Sequence, residues 1–100
     1  MRIWVDDLRP LPASCHVWCR SVNEVKKCIC RAEEDHEEIE YLDLDHDAGD
    51  YAADGGDFIH ILDWMERTKR AYPIRIHTMN PVGRSNMIRI IRRNGWRLLG

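Results

Sequence analysis

Apolar and polar positions change period several times along this chain, and each change marks an element. Arg2-Ile3-Trp4-Val5 is a short apolar run that stops at Asp6-Asp7 and reads as a strand. Pro10 and Pro12 forbid an ordinary helix directly after it. His16 to Arg20 reads as a second strand. Ser21-Val22-Asn23-Glu24 is a capping box, after which Val22, Val25, Ile29 and Ala32 recur at helical spacing. The acidic run Glu33 to Glu38 ends that helix or carries it into solvent. Ile39 to Leu44 reads as a third strand, with Leu42 and Leu44 alternating against Asp43 and Asp45.

Ala48 to Gly56 reads as a loop containing Gly49, Gly55 and Gly56. Asp57 is a suitable N-cap for a helix whose buried face is Phe58, Ile61, Leu62 and Met65. Pro73 predicts an end near Tyr72. Pro73 to His77 reads as a fourth strand. Gly83 opens a last helix through Arg93 with Met87, Ile90 and Ile91 as its stripe, and Asn94-Gly95 stops it. Trp96 to Leu99 reads as a final short strand. Strands alternating with helices predict one α/β domain over residues 1–100, a compact three-layer sandwich around a mostly parallel five-stranded sheet. Right-handed crossovers put all strand carboxyl ends on one edge, where such sheets bind ligands.

Composition narrows the class. No apolar run is long enough to cross a bilayer, and the first residues carry no signal-peptide core, so the expectation is a cytoplasmic protein with no membrane association. The four cysteines, Cys15, Cys19, Cys28 and Cys30, crowd into one region. Their spacing is not a standard zinc pattern even with His16 and His36 nearby, so they read as ordinary reduced cysteines, with a metal site as the alternative. The four tryptophans read as core or interface residues.

Charge is segregated although the net is only −2. Residues 33–66 carry 14 acids, whereas residues 67–100 carry nine Lys or Arg and no acid. The simplest consequence is a surface with two faces of opposite sign. The functional one is an acidic centre for a cation beside a basic wall for an anion. The basic residues are spread along elements rather than gathered in a tail, so a nucleic acid is not the favoured partner. Apolar residues near the last helix and strand, Trp96 among them, leave room for a homodimer.

The acids are not scattered at random. The first strand ends in Asp6-Asp7, the third in Asp45-His46-Asp47 and the fourth in His77-Thr78-Met79-Asn80. On a parallel sheet these endings share one rim. At ~4 Å and an effective dielectric of ~20, each like-charged pair costs about 4 kcal/mol. A domain has only about 5–15 kcal/mol of stability in total. A cation or bound protons therefore have to relieve the crowding. Oxygen donors on a part-open site favour Mg²⁺ or Mn²⁺, with Asp6, Asp7, Asp45 and Asp47 as candidate ligands. Arg84 stands near the start of the last helix, whose free N–H groups favour an anion, and Arg9 follows the first acid pair; both are candidate phosphate contacts. His46 and His77 are candidate proton carriers. Taken singly, each of these residues is as easily a turn residue, a cap or a solvated acid; their predicted convergence makes them a site.

An acid pair after the first strand, Asp45 after the third and Thr78 after the fourth resemble the response-regulator receiver pattern. That resemblance implies a metal on the acids, a phosphoryl acceptor at Asp45 and a phosphoryl-sensing hydroxyl at Thr78. The chain departs from receivers in lacking the helix after the first strand and a lysine at the tip of the fifth. "VDDLRPLP", "LDLDHDAGDY", "DGGDFIHILDW" and "IHTMNPVGRSNM" together are similar to the cyclic-phosphate-processing receiver-like family, a divergent branch of the receiver fold. This implies further acid–base groups at His46, Asp47, His77 and Asn80.

Three functions follow as expectations. The first is a phosphoesterase that opens a cyclic phosphate or a cyclic-nucleotide-derived signal. Its catalytic residues would be Asp45, His46 and His77, and its substrate contacts Arg9, Thr78, Asn80 and Arg84. The second is a non-catalytic module or sponge for a small phosphorylated nucleotide, for example in phage–host conflict. The third is a divergent receiver phosphorylated on Asp45.

Overall fold

The computed structural model describes residues 1–100. Its strands are β1 (Arg2–Val5), β2 (Val17–Cys19), β3 (Tyr41–Leu44), β4 (Ile74–Ile76) and β5 (Leu98–Leu99). Its helices are α1 (Val22–Glu34), α2 (Ile59–Arg67) and α3 (Pro81–Asn94), with a 3-10 turn at Gly49–Ala53. All neighbouring strands are parallel, in the order β2-β1-β3-β4-β5. The architecture is that of a receiver-like, flavodoxin-type α/β domain.

The chain steps in one direction from β2 to β3, β4 and β5, so right-handed crossovers put all three helices on the same face. Burial agrees. Ile3, Val5, Leu42, Leu44, Ile74 and Ile76 are buried with Val25, Ile29, Ile61, Met65, Met87 and Ile91 from the helices. The step from β1 to β2 runs the other way and needs no helix. Residues 6–16 instead cross the opposite face, where the Trp4 indole N–H donates to the Arg9 carbonyl at 2.9 Å. On the same face Arg75, in the middle of β4, stays exposed.

Helix ends follow local chemistry. Ser21 caps α1, its hydroxyl accepting from Glu24 N–H at 3.1 Å, as the capping box predicts. Three boundaries differ from the sequence expectation. α2 ends at Arg67, not near Tyr72: the Thr68 hydroxyl donates to the Trp64 carbonyl, and Lys69 turns left-handed at φ 57°. Asp57 does not cap α2, because its carboxylate accepts from Ala48 N–H at 3.0 Å and braces the preceding loop. α3 starts at Pro81, two residues before Gly83. Asn80 is its cap, accepting from Gly83 N–H at 2.9 Å, and a proline suits the first helical position.

Candidate functional site

The hydrogen-bond ladder runs one residue past the carboxyl ends of the central strands. Asp6 N–H donates to the Cys19 carbonyl, Asp45 N–H to Val5 and His77 N–H to Leu44, at 2.9–3.2 Å. Asp6, Asp45 and His77 therefore form one row across β1, β3 and β4. Strand alternation carried through these residues turns them to the face away from the helices, together with Trp4 and Asp43. One ligand atom from each of Asp6, Asp45 and His77 falls within a 4.8 Å group.

His77 is the centre of this row. Its Nδ1 lies 2.7 Å from Asp43 Oδ1 and its Nε2 lies 2.8 Å from Asp6 Oδ2. The ring stacks on Trp4 with centroids 3.8 Å apart and planes 5° from parallel. Burial opposes a charge on His77, but the two carboxylates outweigh it and raise its pKa above the ordinary histidine value. Two nitrogens facing two carboxylates are both satisfied only when both carry protons, so the geometry is that of an imidazolium.

Asp6 is held equally firmly. Its Oδ1 accepts from Leu8 N–H and Arg9 N–H at 2.9 and 2.8 Å, and its carbonyl accepts from the Trp18 indole at 2.8 Å. Burial pushes its pKa up, yet the Arg9 and Leu8 amides and His77 together hold it below the ordinary aspartate value. Asp7 points elsewhere. It is buried, its carbonyl accepts twice from Arg20 at 3.0 and 2.8 Å, and burial with the nearby Asp6 and Asp45 raises its pKa. Gly49, at φ 55°, makes room for it: a Cβ there would lie 2.3 Å from Asp7 Oδ2.

A second cluster lies beside the first. His46 Nδ1 is 2.8 Å from Asp47 Oδ1, and one ligand atom from each of His46, Asp47 and Asp57 falls within another 4.8 Å group. The ring packs against the backbone of α3, where a Cβ on Gly83 would meet it at 2.4 Å. Asn80 Nδ2 approaches both Asp47 oxygens at 3.4 and 3.5 Å. His46 Nε2 has no hydrogen-bond partner in the protein, and it is not a sealed-off buried atom.

Asp45 Oδ1 accepts from His46 N–H at 2.7 Å, which leaves its other oxygen uncommitted. The Thr78 hydroxyl accepts from Asn80 N–H at 3.1 Å and keeps its own proton to donate. Arg9 and Arg84 each donate once to a carbonyl at the end of β4, to His77 at 3.3 Å and to Ile76 at 3.0 Å. Each keeps further guanidinium N–H groups with no partner in the protein. Leu8 and Met79 on the bordering loops, and Val82 in the first turn of α3, are exposed apolar residues.

The structure thus divides the residues expected to share one rim. Asp6, Asp45 and His77 come together; Asp47 joins His46 and Asp57; Asp7 belongs to neither group. Sequence reading missed Asp43 altogether. Alternation marked it as the outward side of β3, yet its side chain is buried there. An acid at its middle needs a partner, and His77 is the partner.

A parallel sheet in this strand order, with paired acids after β1 and an acid after β3, defines a receiver-like domain. The family model for the cyclic-phosphate processing receiver domain matches residues 1–93, and the chain belongs to that family. No curated protein and no solved structure gives a significant match. No helix is long and apolar enough to cross a membrane.

Proposed function

We propose that the protein is a phosphoesterase that opens a cyclic phosphate on a small nucleotide-like ligand at the carboxyl edge of β1, β3 and β4. The observation that carries this reading is the pair of histidines in opposite settings on one rim. His77 is held as a cation between Asp43 and Asp6, whereas His46 has one nitrogen oriented by Asp47 and the other free. An acid and a base set apart by their surroundings are what ring opening requires.

In this reading His46 Nε2 takes a proton from the attacking water. The water oxygen bonds to phosphorus, one ring P–O bond breaks, and the departing oxygen takes the proton His77 holds toward Asp6. The product is a phosphomonoester. Arg9, Arg84 and the Thr78 hydroxyl hold the non-bridging oxygens. Asn80 contributes by capping α3 and steadying Asp47, not by a free contact of its own.

The donors also fit a hard divalent cation. Asp6 and Asp45 bring carboxylate oxygens together, and one Asp45 oxygen has no hydrogen-bond partner in the protein. Mg²⁺ or Mn²⁺ held there would polarise a phosphoryl oxygen and draw off charge that the acids otherwise bear alone.

Capture without turnover is the second reading. It is favoured by the saturation of His77, both of whose nitrogens are already engaged. The test is a panel of 2′,3′-cyclic and 3′,5′-cyclic nucleotides, cyclic oligonucleotides and cyclic ADP-ribose species, each with Mg²⁺, with Mn²⁺ and with chelator. Asp45→Asn and His46→Gln run beside the wild type. Ring opening that both substitutions reduce at least a hundredfold supports the enzyme. Recovery of one intact ligand bound to the wild type alone supports capture. Turnover undiminished in both variants overturns the site.

A further inference from the structure

A second constellation lies away from the carboxylate rim, in a cleft of about 550 Å³ between β2 and α1. Three sulfur-bearing side chains line it: Cys19 at the end of β2, Cys28 in the middle of α1, and Met1. The Cys28 sulfur is 3.9 Å from the Met1 sulfur, and Cys19 lines the same cleft with them. No histidine lines the cleft. The other two cysteines lie outside the cleft: Cys30 accepts from Arg70 at 3.7 Å, and Cys15 is buried apart from it.

Two thiols and a thioether without an imidazole are a soft donor set. Thiolate and thioether ligands select Cu(I) over the harder divalent ions. Metal–sulfur bonds near 2.3 Å place two sulfurs of a trigonal site about 4 Å apart, and the Cys28–Met1 spacing matches that span. We propose that Cys19, Cys28 and Met1 form a binding site for one monovalent soft metal ion, Cu(I) in class. Loading forms two metal–thiolate bonds and one metal–thioether bond, and the two thiol protons leave to solvent. The resulting centre carries one net negative charge. Lys27 and Arg31 line the cleft with the opposite sign, and Glu24, Asp35 and Glu37 line it with the same sign.

The experiment is an anaerobic Cu(I) titration against a competing Cu(I) chelator. It compares wild type, Cys19→Ala, Cys28→Ser and a Cys15→Ser/Cys30→Ser control, with far-ultraviolet circular dichroism to check folding. Wild type and the control retain one equivalent, and the Cys19 and Cys28 variants bind at least tenfold more weakly. The wild type carries a readout that needs no variant. With ¹³C-methyl methionine, loading shifts the Met1 methyl resonance and leaves that of exposed Met79 in place. A wild type that retains no copper, a folded Cys28→Ser that retains it undiminished, or a Met1 resonance that does not move overturns the proposal.

Discussion

His77 lies flat on Trp4, 3.8 Å between ring centroids, while both of its nitrogens reach carboxylates from different strands. The stack and the two ion pairs can be separated by substitution. His77→Phe keeps a ring over Trp4 and removes the charge, leaving Asp6 and Asp43 facing each other unpaired. Breaking one partner out of a buried charged set costs about 3–5 kcal/mol, against about 0.5–1.5 kcal/mol for an aromatic pair. The variant therefore loses about 3 kcal/mol or more at neutral pH in urea denaturation. The deficit shrinks in acid, where protonated carboxyls no longer repel. An equal deficit at both pH values would show that packing, not charge, is what His77 supplies.

The same triad sets a pH dependence. The folded-state pKa of His77 is raised, so its contribution to stability is fully present below the ordinary histidine value and fades as pH climbs through the folded value. Stability attributable to this residue declines on the alkaline side of ~6.5. Asp43→Asn removes one of the two groups that raise it, and the slope of stability against pH above that point flattens. Denaturation midpoints between pH 6 and 9 for both proteins measure it.

Gly83 separates fold from chemistry. It lies inside α3, where alanine favours the helix by about 1 kcal/mol over glycine. A Cβ at this position meets the His46 ring at 2.4 Å. Gly83→Ala therefore keeps the fold, with a melting temperature within a few degrees of wild type, while displacing His46 from Asp47. The His46 ring resonances move, and any ring-opening activity falls at least tenfold. A variant with wild-type His46 resonances would mean that the ring has another place to go without leaving its partner.

Much of this architecture was legible because hydrophobic period and punctuation agreed. Leu42 and Leu44 in β3, the Ser21 capping box and the Gly95 stop each have one cheap conformation, and the structure adopts it. The ends of α2 and α3 were misjudged for opposite reasons. Pro73 marks where a helix must have ended, not where it does, and Thr68 with Lys69 closes α2 earlier. At α3 the Asn80-Pro81 pair is itself a start signal, and it outranks Gly83, where the helix was expected to open. The rim acids were legible as a group because parallel topology gathers strand ends. Their division into two clusters was not. It depends on which face each side chain takes after the strand stops, and backbone hydrogen bonds at Asp6, Asp45 and His77 decide that. Asp43 was passed over because its partner, His77, is 34 residues away in sequence.

Asp7 supplies the last test, because it carries strain that a cation or a substitution relieves in different ways. Its pKa is raised by burial and by the charges on Asp6 and Asp45. An acid with a raised folded-state pKa costs stability once pH exceeds the unfolded value, and the cost is absent below it. Asp7→Asn therefore melts higher than wild type at neutral pH, and the two proteins converge as pH falls below ~4. On the proposed function, Mg²⁺ or Mn²⁺ binds the folded state alone and stabilises it by about 2.7 kcal/mol at a hundredfold excess over Kd, which raises the wild-type melting temperature. Asp7 lies outside the Asp6–Asp45–His77 group, so Asp7→Asn keeps this response and Asp45→Asn loses it. Thermal melts of the three proteins with and without cation decide the matter. A response lost in Asp7→Asn and kept in Asp45→Asn would move the cation to the helix side of β1.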